Sequence, residues 1–280
     1  FPLGTTTVTF TAVDEAGNSV TGTTGVTVSD LNGPSVTAPS NVTIAALDAD
    51  GTPASSSSIA IFLQGATASD NVDAVVSVTS DAPAVLPIGS TVVTFSASDL
   101  AGNLGSATAT ITVTDQAGPD VTPPEAITVA ADNADGTPAG NESIAAFLTG
   151  ASASDNVDSS VPVTNNAPAT FPLGETVVVF SATDAAGNTG NATARLTVTD
   201  QTAPSLAVPN GIIVPAANSA GTSATVVPIQ ELLGAATATD NIDEIVTITN
   251  DAPSDFPLGT TTVTFTAVDE AGNSVTGTTG

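Results

Sequence analysis

The sequence predicts an all-β chain, a linear array of antiparallel β-sandwich modules of 85 residues each. The first observation behind this is a fixed period. Asp70, Asp155 and Asp240 each open an Asp-Asn-Val/Ile-Asp tetrapeptide, and Asp14, Asp99, Asp184 and Asp269 each open an Asp-x-Ala-Gly-Asn pentapeptide, all at spacings of 85 residues. Self-similarity at such a spacing marks repeated modules. The second observation is alternation. Ala107, Ala109, Ile111 and Val113 interleave with Thr108, Thr110, Thr112 and Thr114, and Val8, Phe10 and Ala12 interleave with Thr7, Thr9 and Thr11. A period of two rich in Thr and Val makes strands with one buried and one wet face. The third is punctuation: turn signals separate these runs at the intervals of a sandwich.

Taking residues 33–117 as one module, strands are expected near Ser40 to Ala46, Ser57 to Leu63, Ala66 to Ser69, Val75 to Thr79, Thr91 to Ser98 and Ala107 to Thr114. The second of these is ambiguous. The stretches Ile59 to Leu63, Ile144 to Leu148 and Ile229 to Leu233 are the only ones with helical spacing, enough for a single turn. Between the strands lie Asp48-Ala49-Asp50-Gly51, the Asp70 tetrapeptide, Asp81-Ala82-Pro83 and the Asp99 pentapeptide. Phe10, Phe95, Phe180 and Phe265 recur at one strand position and are expected at the centre of each core. A module of 85 residues without disulfides has a core that is only just sufficient.

The 25 residues from Phe1 recur letter for letter from Phe256, an offset of 255 residues, or three periods. The intervening copies have drifted, as Leu86-Pro87-Ile88-Gly89 against Phe171-Pro172-Leu173-Gly174 shows. The repeating unit therefore reads as a block of three modules. The expected domains are 1–32, the C-terminal part of a module; 33–117 and 118–202, complete modules; and 203–280, a module lacking its last strand. The chain reads as a window on a longer array.

Composition limits the chemistry. One basic residue, Arg195, stands against 28 acids, for a net charge of −27, with no His, Cys, Met, Trp or Tyr. Such a charge repels nucleic acid phosphates and anionic membranes and favours cations. No nucleic acid partner is expected, and no run of about 18 apolar residues offers a membrane span. The 41% of hydrophobic residues excludes simple disorder. Without His, Cys or Lys, catalysis would rest on Asp and Glu alone, and a small sandwich has little room for a two-carboxylate cleft. No enzyme is expected.

The order of motifs carries a resemblance. Thr/Ala-Pro opens each module, Ala-Thr/Ser-Asp-Asn-Val-Asp follows, then Phe-Pro-Leu-Gly-x-Thr-x-Val-x-Phe-x-Ala-x-Asp-x-Ala-Gly-Asn, and Thr-Val-Thr-Asp closes it. The compound motif resembles the hyalin repeat (HYR) family, immunoglobulin-like modules found in tandem in secreted and surface proteins, and it covers the whole chain. The resemblance implies extracellular or cell-surface adhesion, spacing or interaction and no catalytic residue. Cysteines common in the family are absent here.

Two readings of the acids stand side by side. In an immunoglobulin-like topology the loops carrying Asp70, Asp73 and Asp99 meet at one pole, which also faces the preceding linker, where Asp30, Asp115 and Asp200 end the last strand. Calcium takes six to eight oxygen ligands. The candidate ligands are Asp70, Asp73, Asp99 and Asp115; Asp155, Asp158, Asp184 and Asp200; Asp240, Asp243 and Asp269; and Asp14 and Asp30 at the start of the chain. The plainer reading is that Asp and Asn merely cap turns by bonding nearby backbone. For Asp48 to Gly51 the turn reading is favoured, because its third copy reads Asn218-Ser219-Ala220-Gly221.

Two functions follow. One is a structural extender or filament shaft whose partners are neighbouring copies end to end and other filament chains. The other is an accessory module that binds carbohydrate or protein, against which stands the lack of Trp and Tyr. Donation of a strand from an end-to-end partner is a third idea, disfavoured because both ends carry the same 25 residues.

Overall fold

Alternating Thr and aliphatic residues build the longest ladders of the chain. In the computed structural model, which describes residues 1–280, contacts divide the chain into two units. One is Phe1–Gly118 with Asp155–Ser159, and the other is Pro119–Ser154 with Ser160–Gly280.

The first unit opens with a hairpin of β1 (Gly4–Val13) and β2 (Ser19–Val28), paired antiparallel along their whole length. A sandwich follows. Its strands are β3 (Ser35–Thr37), β4 (Val42–Ala45), β5 (Thr52–Pro53), β6 (Thr67–Ser69), β7 (Val78–Ser80), β8 (Val85–Leu86), β9 (Gly89–Ser98) and β10 (Leu104–Thr114), with helix α1 (Ser57–Gln64) after β5. One sheet has the order β4-β10-β9-β7, and the facing layer is made of the pairs β3-β6 and β5-β8 with the helix. Val93, Phe95, Ile111 and Val113 point inward from the large sheet onto Ile59, Phe62 and Leu86, all buried. The Phe62 and Phe95 rings lie 5.9 Å apart at 57°. Each such aromatic contributes on the order of 2 kcal/mol through apolar burial.

One pairing departs from the antiparallel pattern. β4 runs parallel to β10, with Val42 opposite Ile111 and Ala45 opposite Thr114. The chain enters at Pro34, against Gly105 near the start of β10, and leaves beyond Thr114 at its other end. β4 therefore runs beside β10 in the same direction, and adjacent strands that run the same way pair parallel.

The strand expected over Ser57 to Leu63 is a helix instead. Ile59 and Phe62 are buried at a spacing of three, and Gly65 ends the helix with its amide on the Phe62 carbonyl. Burial of that stripe overrides the strand tendency of Ile59, Ile61 and Phe62. The second unit repeats this with α2 (Glu142–Thr149), where Asn141 caps the Ser143 amide at 3.0 Å, and α3 (Val227–Leu233).

In the second unit the large sheet of the 119–199 sandwich joins Ile127–Ala130, Thr189–Thr199, Gly174–Thr183 and Val163–Asn165 in that order. Phe171, Phe180, Leu196 and Ile144 fill its core. The next sandwich has a three-stranded sheet of Thr247–Asn250, Val263–Val268 and Ser274–Thr279. Ile212 and Ile213 there have no strand partner and are exposed, beside a cleft of about 270 Å³ lined by Ile229, Phe256 and Val263.

Phe95, Phe180 and Phe265 are fully buried, as the repeat position predicts. Phe10 is not; it is 64% exposed on the hairpin, because no second layer covers β1 and β2. No helix is long and apolar enough to cross a membrane.

Candidate metal centres

The pentapeptide turns show what Asp can do locally. Asp99 sits between β9 and β10; its Oδ1 accepts the Asn103 amide at 2.7 Å and its Oδ2 accepts the Asn103 side-chain amide at 2.7 Å. Gly102 supplies the positive φ of 88° that closes the turn. Asp14 makes the same pair of bonds with Asn18, Asp184 with Asn188, and Asp269 with Asn273. Asp14 is held below the usual carboxylate range chiefly by the Asn18 side-chain amide. At Asp184 burial pulls upward, but the Asn188 bonds outweigh it and the net shift is downward.

The tetrapeptide loop follows β6. Asp70 Oδ1 caps the amides of Val72 and Asp73 at 2.8 and 3.0 Å, and these bonds, that of Asp73 first, lower its pKa below the ordinary carboxylate value. Asp73 reaches across the pole to the pentapeptide turn, where its Oδ2 accepts the Leu100 amide at 2.7 Å. Asp30, in the linker after β2, joins them. Single carboxylate oxygens of Asp30, Asp73 and Asp99 lie within 4.8 Å of one another. The Asn103 side chain also donates to the Asp30 carbonyl at 3.3 Å, fastening the linker to the turn.

In the second unit Asp200, Asp240 and Asp243 form the same kind of group, again within 4.8 Å. Asp243 accepts the Glu270 amide at 2.9 Å, Asp240 caps Ile242 and Asp243, and Asn273 donates to the Asp200 carbonyl at 3.5 Å. Asp269 belongs to the turn beside this group rather than to the group itself. Asp14 belongs to no group of three acids. Asp155 caps Val157 and Asp158, and Asp115 caps Ala117.

What distinguishes these sites from capped turns is the other oxygen. The Oδ2 atoms of Asp30, Asp70, Asp115, Asp155, Asp200 and Asp240 are shielded from solvent and accept no hydrogen bond within the chain. Buried polar atoms are normally partnered, and an unpaired buried carboxylate oxygen is expensive. Three carboxylates this close also repel by roughly 1 to 4 kcal/mol per pair, depending on local screening. A hard cation would answer both problems. The donors are oxygen only, which suits calcium or magnesium and excludes soft metals.

The sole cation of the chain is elsewhere. Arg195 pairs with Glu175 on an exposed strand face, a contact of small energetic weight. The turn Asp48–Gly51 is a capped turn, with Asp48 accepting the Asp50 amide at 3.0 Å.

Residues 29–113, 119–199 and 199–279 match the sequence profile of the HYR domain. The chain belongs to the HYR domain family. Over 98% of its length this HYR chain is 34% identical to Hyalin of Strongylocentrotus purpuratus, and over 99% it is 33% identical to Hyalin of Lytechinus variegatus. It spans only 23% and 52% of the length of those two relatives. Among solved structures, the protocadherin GammaB4 extracellular domain aligns with 98% of the HYR chain and 54% of its own, at 16% identity and a TM-score of 0.37. Cadherin-23 EC22-24 of mouse covers 89% of the chain and 97% of its own, at 14% identity and a TM-score of 0.34. Likeness this distant has no bearing on function.

Sequence reasoning missed one residue type at these junctions, the Asn of the tetrapeptide. Asn241 donates to the carbonyls of Ala131 and Asp132, and Asn156 to those of Ala46 and Leu47. Its only signal in the sequence is recurrence at the period of the repeat.

Proposed function

We propose that this chain is a structural extracellular or cell-surface array, the extender or shaft of an adhesin or filament, whose modules are stiffened end to end by calcium. Its partners are neighbouring modules of the same kind and, laterally, other chains of the same filament. The observation that carries the reading is the solvent-shielded, unpartnered Oδ2 of Asp30 beside Asp73 and Asp99, repeated by Asp200 and Asp240 beside Asp243. Asp30 and Asp200 come from linkers, whereas Asp73, Asp240 and Asp243 come from the sandwich that follows, so an ion there ties successive segments.

The residues fit calcium in kind. Asp30, Asp70, Asp73 and Asp99 in the first unit, and Asp200, Asp240 and Asp243 in the second, supply hard oxygens from irregular loops, a geometry that calcium tolerates better than magnesium does. Bound calcium would supply positive charge that removes the mutual repulsion. The chain's own contribution is to hold the carboxylates in place by the Asn and backbone bonds described above.

Thermal unfolding in millimolar calcium and in chelator tests this. Ion held at 100 times its dissociation constant adds about 2.7 kcal/mol per site, so the midpoint should rise by many degrees with calcium. Overlapping curves would leave the acids as turn caps. An accessory binding role has no Trp or Tyr platform to support it, and saturable binding on a glycan array would be needed to revive it.

A further inference from the structure

The tetrapeptide that contributes Asp240 and Asp243 to an acidic group also carries two uncharged residues between them, and these face different partners. Asn241 directs its side-chain amide at the carbonyls of Asp132, 3.3 Å away, and Ala131, 3.5 Å away, just past the strand Ile127–Ala130 of the 119–199 sandwich. Ile242 packs, half-buried, against the hydrophobic core of that same sandwich. The first unit holds an equivalent arrangement. Asn156 donates to the carbonyls of Ala46 at 3.2 Å and Leu47 at 3.3 Å, and Val157 packs against the core containing Phe95.

The third copy is a control within the chain. Asn71 makes no side-chain hydrogen bond, and Val72 is 40% exposed. The Asn and aliphatic pair is therefore shaped by what it docks against and not by its own loop, whose Asp70 caps are the same as those of Asp240.

We infer that Asn241 and Ile242 form a latch, independent of any cation, that seats one HYR sandwich on the carbonyl end of the sandwich before it. The partner surface is a module of the same kind, presenting two main-chain carbonyls past its strand Ile127–Ala130 and an apolar rim beside them. An amide on two carbonyls and an aliphatic side chain on a core carry no net charge, so salt and chelator leave the contact intact. Donor loop and acceptor end are different surfaces. The contact is heterologous, and it propagates head to tail without closing on itself.

This inference does not rest on calcium, and the test separates the two. The full chain, as wild type, N241A, the double variant N241A/I242S and the control N71A/V72S, is digested by a serine protease of broad specificity that needs no metal ion, and cutting in the linker around Asp200 is timed. In chelator, the wild type and the control should be cut at the same rate. The double variant should be cut about tenfold faster and N241A in between, as expected for the loss of two hydrogen bonds and an apolar contact. Equal rates for the double variant and the control in chelator overturn the latch. N241A alters only an exposed side chain, so it stays folded and keeps the comparison valid if the double variant does not. A second digestion in calcium reports on the acidic group alone: slowing of every chain supports the ion, and no slowing counts against it without touching the latch.

Discussion

Asp73 accepts the backbone amide of Leu100 through Oδ2 at 2.7 Å, across 27 residues of sequence. The bond joins the tetrapeptide loop to the pentapeptide turn, and Asp243 with Glu270 repeats it at 2.9 Å. A carboxylate at this point both fastens two loops and adds negative charge to a crowded group.

Those two effects oppose each other, and Asp243→Asn separates them. Asn keeps an acceptor for Glu270 but removes one charge from the group with Asp200 and Asp240. In chelator the variant is expected to unfold at the same temperature as wild type or above it, because repulsion falls. In millimolar calcium it is expected to unfold lower, by several degrees for each kcal/mol of ion binding lost. Differential scanning calorimetry in the two buffers checks the crossing.

Phe180 is fully buried and meets Phe147 at 5.8 Å, whereas Phe10 at the equivalent repeat position is 64% exposed. Phe180→Ala is expected to cost about 3 to 5 kcal/mol, and Phe10→Ala less than about 0.5 kcal/mol, the usual range for exposed substitutions. Urea unfolding followed by circular dichroism gives both.

A Cβ on Gly190 would stand 1.7 Å from the Pro119 carbonyl oxygen, so the entering chain must move if it is added. Gly190→Ala is expected to destabilise the 119–199 sandwich by more than about 1 kcal/mol. Gly140, which has open space around it, should tolerate Ala or gain up to about 1 kcal/mol from the stiffer unfolded chain. Chemical denaturation of the two variants side by side decides it.

Acid should destabilise the fold. Asp14, Asp70, Asp184 and Asp251 all titrate below their ordinary 3.8 in the folded chain. Hydrogen bonds to the ionised form are the cause, from Asn18 at Asp14, from the Asp73 amide at Asp70 and from the Thr264 amide at Asp251. A depressed folded value means that the unfolded chain takes up protons first. Their contribution is complete above the unfolded value of 3.8 and fades as pH falls through the lower folded values. Unfolding midpoints in millimolar calcium, which offsets the repulsion within the acidic groups, should hold through neutral pH and drop below about pH 4, and a midpoint that rose on acidification there would contradict these bonds.

Much of this was legible in the chain because period two and period 85 are local properties of the sequence. The strands over Thr91 to Ser98 and Ala107 to Thr114 lie within observed strands, and the repeated Phe marks the core wherever a second layer covers it. The helix at Ser57–Gln64 was only half legible, since a short apolar run fits either a strand or one turn until its packing partner is known. β6 was legible as the run Ala66 to Ser69, whereas β3, β5 and β8 are too brief to show a periodic signal.

Sequence alone determined the family of sandwiches, their number of residues per repeat, the excess of acid and the turns that Asp and Asn cap, because each depends on neighbours within a few positions or on simple recurrence. Only the folded chain decided which acids meet. Asp30 reaches Asp73 and Asp99 because a linker and two loops distant in sequence share one pole. The fold likewise decided that Asn241 finds the carbonyls of Ala131 and Asp132, about 110 positions away in sequence. Contacts between distant segments are set by packing, and packing is a property of the assembled layers rather than of any stretch of chain.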